Sequence, residues 1–149
     1  MIIEPEVVNV ALGRFDQGYS CSQAVFSALA ERRGVDTGLA LRVAAAFGGG
    51  MARTAATCGC VTGALMAIGL AQQDVSPEGN RDAKDRTREI AAEFMSEFAR
   101  RNGSTVCRDL LGCDISTPEG LEQARRDELF QSRCRDLVRS AVELAEVTA

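Results

Sequence analysis

Apolar residues recur at three- and four-residue intervals along almost the whole chain, and no segment alternates as a half-buried strand would. The pattern predicts an all-α fold with a first helix over about Pro5 to Asp16. Ser20 opens a second, with Gln23 completing a capping box, and Cys21, Ala24, Val25, Ala28 and Leu29 share one face until Gly34 ends it. A third covers roughly Gly38 to Phe47. Gly48-Gly49-Gly50 then breaks the pattern, and the segment through Ala56 reads as a loop crossing a packed surface.

Thr57 is placed to cap a strongly apolar helix from Cys58 to about Gln72. Its small face, Cys60, Gly63, Ala64, Ala67 and Ala71, lets another helix approach closely. A helix with so little polar surface belongs at the centre of a fold. Ser76-Pro77 starts a long amphipathic helix to about Arg101, with Ile90, Ala91, Phe94, Met95 and Phe98 inward and Asn102-Gly103 as its stop. A short helix spans Val106 to Leu111, another begins at Ser116 or Thr117 ahead of Pro118, and the last runs from about Arg133 to Ala145. With no linker and no low-complexity segment, residues 1–149 read as one domain: a bundle of about six or seven helices around Cys58–Gln72.

Composition narrows the chemistry. The net charge is −4, so the chain lacks the basic footprint of a nucleic-acid binder. The acidic start, Met1-Ile2-Ile3-Glu4-Pro5-Glu6, has no apolar core of a signal peptide. The longest apolar stretch, Cys58 to Ala71, falls short of the roughly 20 residues that span a bilayer. We therefore expect a cytoplasmic protein with no direct membrane insertion and no nucleic-acid partner. Histidine is absent, which removes Ser-His-Asp and Cys-His nucleophilic machinery and imidazole metal ligands. The triple glycine lacks the Gly-Lys-Ser/Thr ending of a phosphate loop. Asp82 and Asp85 read as a solvated face, and Arg32-Arg33, Arg100-Arg101 and Arg125-Arg126 as surface charge.

That leaves the six cysteines, Cys21, Cys58, Cys60, Cys107, Cys113 and Cys134. Their spacing matches neither a CxxC redox motif nor a pair of zinc knuckles. Ser20 precedes Cys21, Thr57 precedes Cys58, and Thr105 and Ser132 lie two residues before Cys107 and Cys134. Ser and Thr are good N-caps, so four cysteines are placed in first helical turns, where amides and the helix dipole favour a thiolate. Arg108, Arg133 and Arg135 would add to the effect. Cys58 and Cys60 would point about 200° apart on a regular helix and are poor partners unless the first turn is distorted. Cys60 reads as core packing, and Cys113 lies past a helix end. The opposing reading is that all these thiols simply pack as small hydrophobes.

The central string Cys58-Gly59-Cys60-Val61-Thr62-Gly63-Ala64-Leu65-Met66-Ala67-Ile68-Gly69, preceded by Cys21 and Gly50 and followed by Cys107 and Cys134, resembles the C-GCAxxG-C-C family of redox-active proteins. Cys107 to Asp114 also looks like that family's third cysteine region. The resemblance implies that Cys21, Cys58, Cys107 and Cys134 are the family's four cysteines. Some members resemble this chain but carry selenocysteine at a cysteine position, which suits redox use. Cys60 departs from the pattern, since the family usually has Ala there.

Three readings follow. The first is thiol–disulfide or electron-transfer chemistry, an oxidoreductase working with a redox partner, with Cys58 the candidate nucleophile and Cys21, Cys107 or Cys134 resolving. The second is a zinc or iron–sulfur site built from Cys21, Cys58, Cys107 and Cys134, with Cys60 or Cys113 as further ligands. The third is a non-catalytic helical interaction module. A homo-oligomer is compatible with each.

Overall fold

Ser20 sets the start of the helix that carries Cys21. Its hydroxyl accepts from the Gln23 amide, and the Gln23 side chain accepts from the Ser20 amide, completing the expected capping box. In the computed structural model, which describes residues 5–72 and 75–148, this helix is α2 (Cys21–Glu31), preceded by α1 (Pro5–Asp16). Asp36, not the residue before Gly38, caps α3 (Thr37–Ala44), which tightens into a 3-10 turn at Ala45–Phe47. The apolar α4 is Gly59–Leu70, shorter at both ends than expected. Next come α5 (Pro77–Asn102), α6 (Cys107–Leu111) and α7 (Pro118–Arg126). A π turn at Phe130–Cys134 then leads into α8 (Arg135–Thr148), so the last helical segment begins a turn earlier than its apolar stripe indicates. Among the described residues there are eight α-helices, against the six or seven the pattern predicts, and no strand; Thr57 and Val106 form one isolated antiparallel bridge.

Helix α4 is central because its glycines let α2 press against it. A Cβ at Gly63 would lie 3.0 Å from the Ser22 carbonyl oxygen and 3.3 Å from Val25 Cβ. Around this pair α1, α5 and α8 close the main core, in which Val25, Val61, Phe94, Phe98, Leu137, Val138 and Val142 are fully or almost fully buried. The Phe94 and Phe98 rings stack one helical turn apart, 5.9 Å between centroids. Each such side chain contributes about 1.5–3 kcal/mol by leaving water. Surface ion pairs fasten the rim: Arg14 to Glu31, Arg32 to Glu146, and Arg135 to Asp16.

A second, smaller cluster forms where α6, α7 and the π turn fold back over the loop before α4. Ala55, Cys107, Leu111, Ile115 and Ala124 are its buried members, with Cys113 and Cys134 packed against it. The cysteines thus divide between the two clusters, with Cys21, Cys58 and Cys60 on the main core and Cys107, Cys113 and Cys134 on the smaller one. Backbone hydrogen bonds stitch the two together. The Cys58 amide donates to Thr105 (2.8 Å), and the Cys107 amide donates to Ala56 (2.6 Å).

The segment joining α3 to α4 is not a slack link. Gly49, Gly50, Met51, Ala52 and Arg53 run consecutively at φ between 54° and 73°, and Ala55 follows at 57°. This is a short left-handed coil, in which each non-glycine residue costs roughly 1–2 kcal/mol. It is held by Met51 N–H to Phe47 O (3.0 Å), Arg53 N–H to Gly48 O (3.1 Å) and Ala56 N–H to Gly50 O (2.9 Å). Strained backbone of this kind persists where its surroundings over-determine it, and it clusters at functional sites.

Candidate functional site

The left-handed coil, the start of α2, the start of α4 and the smaller cluster enclose a cavity of about 800 Å³. Five of the six cysteines line it: Cys21, Cys58, Cys60, Cys107 and Cys134. Cys113 does not, and sits half-buried on the other side of the smaller cluster. All six are free thiols.

Three of them are neighbours. The Cys21 sulfur lies against Gly59, the residue between Cys58 and Cys60, and those two thiols are the strongest influences on it. Cys60 was expected to be packing, turned away from Cys58. Cys60 does pack in the main core, fully buried, but it is not turned away, because Cys58 is not in the helix. Cys58 is the N-cap of α4, with φ −54° and ψ 135°, so the 100° step per residue does not relate the two. Thr57 therefore does not cap this helix, and no side chain does. Gly59 completes the arrangement, since a Cβ there would lie 2.5 Å from the Cys21 sulfur.

Charge settles on Cys21. Hydrogen bonds from Cys58 and Cys60 hold its thiol well below the ordinary value, against the cost of burial, and the amides of Gly49 and Ser22 add to the effect. The Ser22 amide is available because the first amides of a helix have no carbonyl partner within it, and Ser20 has taken that of Gln23. The Gly49 amide comes from the left-handed coil. Cys58, which gives its hydrogen bond to Cys21, is pushed well above the ordinary thiol value. Cys60 is raised too, by burial first and then by its two thiol neighbours. The thiolate-favouring surroundings expected at Cys58 thus lie at Cys21.

The Ser/Thr-capped helix start holds only at Cys21: Cys58 is itself an N-cap, Cys107 does begin α6 but without a Ser or Thr cap, and Cys134 lies in the π turn. Cys107 follows Val106, not a Ser or Thr cap, and heads a helix of five residues. Cys134 ends the π turn, and its amide donates to Leu129 O (3.0 Å). Burial, and then the charge on Cys21, push Cys107 up to about 11. Burial and the Cys21 charge likewise push Cys134 up to about 12. Burial also raises Cys113, followed by the nearby Asp127 and Asp114. The flanking arginines are engaged elsewhere. Arg108 donates to the Ala55 carbonyl, Arg133 to Leu110 O (3.1 Å) and Asn102 O (2.7 Å), and Arg135 to Asp16. Among the described residues no group of three or more Cys, Asp or Glu side chains is arranged to hold a metal ion.

Sequence reasoning missed Gly59 and the Gly49 amide as parts of the site, and admitted Cys60 only as a further metal ligand. The Cys-Gly-Cys spacing was the available signal, because a glycine between two cysteines at a helix start admits a third group.

The fold and this site define an all-helical protein with a cluster of interacting thiols in a cavity. A family model described as "Putative redox-active protein (C_GCAxxG_C_C)" matches residues 19–148, and the chain belongs to that family. No curated protein and no solved structure matches the chain significantly.

Proposed function

We propose that the chain carries out thiol–disulfide exchange, with Cys21 as the attacking thiolate and Cys58 as the resolving thiol. The observation that carries this reading is the three-thiol cluster at the cavity, in which Cys21 alone has its charged form favoured. The thiolate is the nucleophile in such exchange. The Cys21 sulfur attacks one sulfur of a substrate disulfide R–S–S–R′, forming the Cys21–S–S–R mixed disulfide and expelling R′S⁻. The expelled thiolate takes up the Cys58 proton. The Cys58 sulfur then attacks the Cys21 sulfur, breaking the mixed disulfide and expelling RS⁻, which is protonated from water. Two electrons pass from the protein to the substrate, and a Cys21–Cys58 disulfide remains for a thiol partner to reduce.

Cys60 keeps its proton and donates to Cys21. Cys107 and Cys134 line the same cavity, and burial holds them protonated. The cycle suits a cytoplasmic setting, where thiols are maintained reduced.

The test uses hydroxyethyl disulfide as the electron acceptor. Cys58→Ser keeps a donor to Cys21 but cannot resolve, so it accumulates one mixed disulfide at Cys21. Cys21→Ser forms none. A mixed disulfide that forms equally well in Cys21→Ser overturns the assignment.

A further inference from the structure

The cavity that holds the thiols also carries an uncompensated positive charge. Besides the Cys21 thiolate, its charged lining residues are Asp16, Arg53 and Arg125. Asp16 is occupied, since both of its oxygens accept from Arg135 at 2.9 and 3.0 Å. Neither the Arg53 nor the Arg125 guanidinium has a hydrogen-bond or ion-pair partner among the described residues. Both side chains are exposed, at the cavity's outer edge. They come from opposite sides of the seam, Arg53 from the left-handed coil and Arg125 from the last turn of α7. The protein as a whole has a net charge of −4, so a cavity edged by two unpaired cations runs against its average.

Phe15, Leu110, Leu111, Ile115 and Phe130 give the same cavity an apolar lining. The volume falls within the roughly 300–1,000 Å³ range of small-molecule sites. Guanidinium, apolar surface and sulfur thus line one cavity.

We infer that the cavity binds an anionic low-molecular-weight thiol compound, with its carboxylate or phosphate groups at Arg53 and Arg125, its stem along the apolar wall, and its sulfur at Cys21. Guanidinium suits either anion, because its planar donors match carboxylate and phosphate alike. The inference deepens the exchange reading by naming its substrate class, and it rests on that reading for the role of the sulfur. The placement of Arg53 also gives the left-handed coil a use: the same strained turn supplies the Gly49 amide to Cys21 and the Arg53 cation to the ligand.

The test separates binding from chemistry. Redox-inert thioethers are titrated into the reduced, full-length protein by calorimetry: S-methylglutathione for a carboxylate ligand, S-methyl coenzyme A for a phosphate ligand, and S-methylcysteamine as the cation. Saturable binding of at least one anionic thioether is expected, with no binding of the cation. Arg53→Ala and Arg125→Ala each weaken it at least about tenfold, the scale on which local charge concentrates a counter-ion. Arg139→Ala, an exposed change on α8 away from the cavity, leaves it unaltered. The tighter of the two anionic ligands identifies the source of the charge. Failure of both to saturate, or binding indifferent to both substitutions, overturns the inference. Thioethers cannot exchange, so a protein that binds them but reduces no disulfide retains the site and loses the exchange reading. One that reduces hydroxyethyl disulfide but binds neither thioether retains the exchange and loses the site.

Discussion

Gly59 faces Cys21 so closely that a Cβ at position 59 would stand 2.5 Å from the Cys21 sulfur. The Cys-Gly-Cys string works because its middle residue has no side chain: two thiols flank the gap and a third, from α2, fills it. Gly59→Ala must displace either α2 or the Cys21 side chain. The expected cost is about 1–3 kcal/mol of stability, as for other overpacked sites. The Cys21 thiol, separated from its two donors, returns toward ordinary reactivity. Thermal unfolding and the alkylation rate of Cys21 at neutral pH check both effects together.

The charge on Cys21 has a defined pH signature. Its folded thiol is lowered, chiefly by the Cys58 hydrogen bond and next by Cys60. The rate of Cys21 alkylation by iodoacetamide should therefore decline at a pH well below the ordinary thiol value. Cys58→Ala and Cys60→Ala should each shift the decline upward, Cys58→Ala further. The linkage runs the same way. The stability this group contributes is present above the unfolded thiol value and is lost as pH falls through the folded one.

Cys107 and Cys134 have the opposite sign. Both are raised, to about 11 and about 12, because burial disfavours their thiolates. The stability they contribute is complete below the ordinary thiol value near 9.0 and is lost as pH rises through their folded values. The unfolding free energy should fall between about pH 9 and pH 12. Cys107→Ala and Cys134→Ala should each flatten part of that decline. Parallel denaturant titrations of the three proteins at pH 8 and pH 11 measure it.

The left-handed coil makes a prediction of its own. Met51 is exposed and held at φ 69°, a conformation glycine adopts freely and methionine does not. Met51→Gly should stabilise the fold by about 0.5–1 kcal/mol, the relieved strain exceeding glycine's extra freedom in the unfolded chain. A higher thermal midpoint with unchanged Cys21 alkylation would show that the coil is strained for its placement and not through Met51 itself.

Most of the fold was legible in the sequence because its signals are local. The Ser20–Gln23 box, Ser76-Pro77, Asn102-Gly103 and Thr117-Pro118 each mark a helix end where the structure has one. The cysteine site was only half legible. Its assembly depends on Cys58 lying outside the helix and on the backbone amide of Gly49 arriving from a left-handed coil. No periodicity reports a sign of φ at Met51, Ala52 or Arg53, residues that rarely adopt it. Arg108 and Arg133 do lower the Cys107 and Cys134 thiols, but burial and the Cys21 charge outweigh them. Arg108, Arg133 and Arg135 neighbour cysteines along the chain, yet each spends its hydrogen bonds on a carbonyl or on Asp16.

The most direct measurement is a disulfide map of the full-length protein after brief exposure to a limiting amount of hydroxyethyl disulfide, digested without reduction and read by mass spectrometry. The account predicts a loss of two protons and a Cys21–Cys58 crosslink as the first product, in wild type and in Cys60→Ser alike, and none in Cys21→Ser. A first crosslink confined to Cys107, Cys113 and Cys134, or no crosslink while Cys21 remains fully alkylatable, would contradict it.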